Sequence, residues 1–121
     1  MFGIFKTRKR FESRNVPSIR FVSEQDGPPE KELKAALADA FRRWPTVERA
    51  YLCRVTYDNP YAHEVALCLR TLSKPNRQLV NDASAVFASL FGKDQHLDIL
   101  FLTDAQETEV ALVCPLFYQA R

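Results

Sequence analysis

Apolar side chains at Leu33, Ala36, Leu37, Ala40, Phe41 and Trp44 fall at i, i+3, i+4, i+7, i+8 and i+11, the stripe of one helix face. Asp26 or Gly27 suits its cap, Pro28 and Pro29 its first turn, and Pro45 its end. A second stripe of the same period, Leu79, Val80, Ala83, Val86, Phe87, Leu90 and Phe91, opens after Pro75 and stops at Gly92. Before, between and after these helices the period shortens to two. Val16–Glu24 alternates with Ile19 and Phe21 on one face. Val47–Tyr57 and His63–Leu72 flank the turn residues Asp58-Asn59-Pro60-Tyr61-Ala62, and Leu97–Thr103 is a short apolar run. Residues 107–113 read as a short helix rather than a fifth strand.

The order strand, helix, strand, strand, helix, strand predicts an α+β fold, a ferredoxin-like βαββαβ sandwich. Both helices lie on one face of an antiparallel sheet, followed by a short C-terminal extension. Pairing Tyr57 with His63 in the hairpin puts Tyr51, Cys53, Val55 and Tyr57 on the core face with Val65, Leu67 and Leu69. Leu52, Arg54 and Thr56 then join Ala66, Cys68 and Arg70 on the other. A shift by one residue places Arg70 and Arg54 among apolar neighbours, a cost that argues for the first register.

Composition adds that the chain folds on its own: 121 residues, 46% hydrophobic, nine Phe and three Gly leave room for one domain and a real core. The net charge of +2 is unevenly spread. Residues 1–14 hold five of the 17 cations and one of the 15 carboxylates, so the tail is +4 and the remainder, with 12 against 14, is −2. Residues 1–15 therefore read as a basic, loosely ordered leader and residues 16–121 as the domain. A body of that balance gives no electrostatic case for nucleic acid. The four apolar residues ahead of Lys6 are too few for a signal peptide, no run is long enough to cross a membrane, and no stable membrane association is expected.

Chemistry is sparse. Cys53, Cys68 and Cys114 have no CxxC spacing and, on the preferred register, Cys53 and Cys68 point to opposite sides of the sheet. No disulfide, metal or cofactor is expected, and a reducing cytoplasm fits best. His63 and His96 lack a neighbouring nucleophile motif, and Glu107 and Glu109 read as exposed helix-end charges. The feature left over is the open sheet face: Arg20, Leu52, Arg54, Cys68, Arg70, Asp98 and Leu100, guanidinium groups among bare aliphatic surface.

Gly27-Pro28-Pro29, the join from Trp44 through Pro45 and Val47 to Ala50-Tyr51-Leu52, and the closing Pro115-Leu116-Phe117-Tyr118 carry a family resemblance. Over about residues 16–119 the chain resembles the C-terminal domain of the SseB family, bacterial proteins named for enhanced serine sensitivity. The resemblance implies no established reaction, and longer relatives with a further N-terminal domain. The bare face or a sheet edge is then where that domain or a second copy packs. The expectation is a non-enzymatic interaction or accessory domain, whose partner is another protein or itself as a homodimer. The alternative is a regulatory module that holds an amino acid or anion between Arg54 and Arg70.

Overall fold

A computed structural model describes residues 19–92, 94–95 and 97–120. The basic tail, the first residues of the first predicted strand and His96 lie outside the described residues. The elements are β1 (Arg20–Glu24), α1 (Pro28–Phe41), β2 (Val47–Thr56), β3 (Glu64–Thr71), α2 (Arg77–Phe91), β4 (Asp98–Phe101), α3 (Asp104–Val113) and β5 (Tyr118–Gln119).

Both periodic stripes become helices for the reasons their sequences suggest. In α1, Gly27 is the N-cap and prolines fill the first positions, where a missing N–H costs nothing. A Cβ on Gly27 would lie 2.6 Å from Glu30 Oε1, so the bare glycine lets that buried carboxylate approach the turn. Helix α1 ends at Phe41, earlier than its stripe, and Trp44 instead donates its indole N–H to Asp82 at 2.7 Å, joining the α1–β2 turn to α2. Asn76 caps α2 by accepting from the Gln78 and Leu79 amides, and Gly92 closes it at φ 93°, a conformation open to glycine.

The strand order is β1-β2-β3-β4, with β5 also on β2. This corrects the ferredoxin-like order. β1 and β2, joined through α1, are antiparallel neighbours, and so are β2 and β3 of the hairpin. Only the β3–α2–β4 crossover joins parallel neighbours. Side-chain period reports which residues share a face but not the direction or neighbour of a strand, so the element order alone left this open. β1 covers Cys53–Thr56 of β2, and β5 covers Arg49 and Ala50 on the same edge, so the two short strands lie in tandem along it. Phe117 and Tyr118 fold back against Phe41, with ring centroids at 6.5 and 5.5 Å, as expected of a segment covering an apolar edge.

The hairpin register also differs from expectation by one residue. Leu52 faces Leu67, Cys53 faces Ala66, and Val55 faces Glu64. Leu52, Leu67 and Leu69 therefore meet Leu37, Phe41, Leu79 and Phe87 of α1 and α2, while Tyr51, Cys53 and Val55 join Ala66, Cys68 and Leu100 on the opposite face. Helix α3, where residues 107–113 were read as helical, covers that face through Val110, followed by Cys114. The fold has three layers, α1/α2, sheet and α3, and both sheet faces are buried.

Replacing Leu67 by Ala, fully buried between the sheet and the two helices, is expected to lower unfolding free energy by about 2–5 kcal/mol in urea denaturation.

Candidate functional site

The seven residues expected to share one open face are divided between two. Cys68, Arg70, Asp98 and Leu100 share the α3 side, where Cys68 and Leu100 are buried. Asp98, also buried, accepts the Tyr57 hydroxyl at 2.7 Å. Leu52 is enclosed on the α1/α2 side. Arg54 donates through Nε and Nη2 to Gln25 Oε1, both at 3.2 Å, and Arg20 is exposed opposite Thr56. The expected open face is therefore corrected to a covered one. The cost that argued against this register is met locally: Arg70 donates to Leu102 O at 3.0 Å and pairs with Asp104, and Arg54 finds Gln25.

The polar centre of the molecule lies under α3. Thr103 caps that helix through a reciprocal box with Gln106, which starts α3 directly after β4. One residue on, Glu107 turns inward with its side chain 15% exposed, and so is corrected from an exposed helix-end charge. Arg49 grips its carboxylate with Nε at 2.5 Å and Nη2 at 2.9 Å, the Tyr51 hydroxyl donates to it at 2.6 Å, and Arg70 Nε stands 3.6 Å away. A two-pronged guanidinium contact plus a phenol is the strong class of charge-assisted hydrogen bond.

These contacts set the titration of the cluster. The Arg49 hydrogen bonds hold the Glu107 carboxyl below its ordinary value of 4.5, with Tyr51 and the Arg70 charge acting the same way against burial. Arg49 is pushed up by Glu107 in return. Burial first, then the bond to Glu107, raises Tyr51 to about 12. Near neutral pH the carboxylate stays ionised and the phenol protonated, so neither is poised to exchange a proton. A shallow depression of about 380 Å³ opens beside them, lined also by Thr108 and Ala111. A wider one of about 660 Å³ lies between the end of α1 and β5.

A second polar cluster stitches β1 to α1. Lys34, nearly buried, donates to Glu24 at 2.5 Å and Asp26 at 2.8 Å, and Gln25 donates to Glu30 at 3.1 Å. Among the described residues no three His, Cys, Asp or Glu side chains are grouped to hold a metal, and no helix is long and apolar enough to cross a membrane. His63 is half-buried ahead of β3. Arg49, Tyr51 and Glu107 escaped the sequence reading because their contacts span more than 50 positions. The signal available was the Thr103-x-x-Gln106 capping box, which fixes where α3 begins.

Glu107→Gln is expected to reduce unfolding free energy by about 1–3 kcal/mol at neutral pH, because Arg49 loses its ionic partner. Folding depresses the Glu107 carboxyl, so its contribution is whole above 4.5 and is lost as pH falls through the folded-state value. The gap between wild type and E107Q in urea unfolding should therefore stay constant above 4.5 and narrow as pH is lowered below it.

No curated protein and no solved structure matches the chain. The sequence model of one family, the SseB protein C-terminal domain, matches residues 22–115, from within β1 to the proline after α3. It takes in the Gly27-Pro28-Pro29 turn and the Trp44–Leu52 join, and ends just before Phe117 and Tyr118. With most of its length matched, the chain belongs to the family of the SseB protein C-terminal domain.

Proposed function

We propose that this domain is an interaction module that acts by contact rather than catalysis, and that self-association is the form the contact takes. One observation carries the proposal. Leu112 is 81% exposed, and Leu116 and Val113 are about 40% exposed, all within the short stretch that ends α3 and leads to β5. Bare aliphatic side chains gathered in so short a stretch are a costly surface for a monomer. The part of the expected sheet face that holds Cys68 and Leu100 is covered by α3 and Leu52 lies on the opposite side of the sheet, so the surface proposed is the outer end of α3 itself.

The polar groups lend support from the other side. Arg49, Arg70, Glu107 and Lys34 spend their charges on partners within the fold. Arg54 and Arg70, the pair a carboxylate-holding alternative requires, stand on opposite sheet faces with separate partners. Three cysteines left as thiols suit a reducing compartment, so the proposal includes a cytoplasmic setting.

Sedimentation velocity across micromolar concentrations tests the reading. The wild-type chain should associate as concentration rises, and the double variant L112E/L116E should stay monomeric with an unchanged far-ultraviolet circular dichroism spectrum. A wild-type chain that remains monomeric throughout refutes self-association.

A further inference from the structure

The buried layer beneath α3 contains three thiols, and their arrangement is selective. Because Cys53 faces Ala66 and Tyr51 faces Cys68, Cys53 and Cys68 share a face, a correction to the expectation that they point apart. They occupy diagonal positions on neighbouring strands, where Cα atoms stand roughly 7–8 Å apart. That exceeds the span of about 4.4–6.8 Å that a disulfide bridges. Cys114 is placed differently. It is the C-cap of α3, its amide bonded to Val110 O, and its thiol donates to Leu52 O at 3.4 Å, the carbonyl that leads into Cys53. Cys53 and Cys114 sit in the same buried cluster, with the Cys114 sulfur against the carbonyl of the residue next to Cys53.

We propose that Cys53 and Cys114 form a reversible dithiol–disulfide pair that fastens the end of α3 to β2, with hydrogen peroxide as the oxidant. Both side chains are almost fully buried, so the reaction proceeds through openings of α3 that wet this layer. In the opened state the Cys114 thiolate attacks one peroxide oxygen; the sulfur–oxygen bond forms as the oxygen–oxygen bond breaks, and the departing hydroxide takes up a proton as water. When α3 closes, the Cys53 thiolate attacks the sulfenic sulfur, the disulfide forms, and the second oxygen leaves as water. Two thiols lose two electrons and two protons, and one peroxide becomes two waters. While α3 is closed the Cys114 thiol is protected, since the neighbouring Cys53 thiol and then burial push its pKa up. The Glu107 contacts hold α3 closed, so they govern how often the pair is exposed.

Reduced full-length protein is treated with hydrogen peroxide, quenched with N-ethylmaleimide, digested without reductant and mapped by mass spectrometry. The expected product is a Cys53–Cys114 linked peptide within one chain, reversed by dithiothreitol, with a thermal midpoint raised by roughly 5–10 °C. C68S, or C68A should the serine variant fail to fold, should give the same linkage. E107Q should form it roughly tenfold faster because its α3 opens more often. Linkage through Cys68, linkage between chains, sulfinic acid at Cys114 without linkage, no linkage at all, or an unchanged rate in E107Q overturns the proposal.

Discussion

The carboxylate of Glu107 is the contact on which the third layer depends. Helix α3 buries one side chain of its own, Val110, and burial of one valine contributes roughly 1.5–3 kcal/mol. That is small against the cost of ordering a ten-residue helix and its connections. Arg49 and Tyr51, both on β2, converge on Glu107, and Arg70 on β3 ties the start of the helix through Asp104. Fixed in this way, α3 keeps Cys53, Ala66, Cys68 and Leu100 dry, and the sheet can be apolar on both faces. Two arginines lie beside that layer with their charges paired, because the helix that covers the apolar residues also brings the carboxylates that offset their desolvation.

The two large helices were legible in the sequence because each has one buried face, which is the condition that makes a stripe visible. Turn chemistry at Gly27-Pro28-Pro29, Asn76 and Gly92 then set their ends. The hairpin register was not legible for the opposite reason. When both sheet faces are buried, β2 reads as apolar in either parity, and alternation loses its power to choose. The choice then rested on the cost of Arg70 and Arg54. Asp104 and Gln25 offset that cost, but they lie far away in sequence, and nothing local announces them.

The candidate site divides along the same line. Cys68, Arg70, Asp98 and Leu100 were correctly grouped, because β3 and β4 carry their alternation through a parallel pairing that a register slip in the hairpin does not disturb. Leu52 and Arg54 were assigned to the wrong face by that slip, and Tyr51 and Cys53 were lost from the right one. Glu107 was misjudged because α3 is only weakly amphipathic, so its inward side could not be told from its outward side. Half-wetted helices of this kind are held by specific polar contacts, and these are the contacts that periodicity does not report.

The tandem arrangement of β1 and β5 on one edge of β2 has a mechanical consequence. Both strands run antiparallel to β2. The described residues begin beside Thr56 and end beside Glu48, at opposite ends of the same strand. Tension applied between Ile19 and Ala120 is therefore directed along β2 and loads the hydrogen bonds of both short strands in shear, together, rather than peeling them one by one. A five-residue and a two-residue strand, each weak alone, share the load as a single clasp.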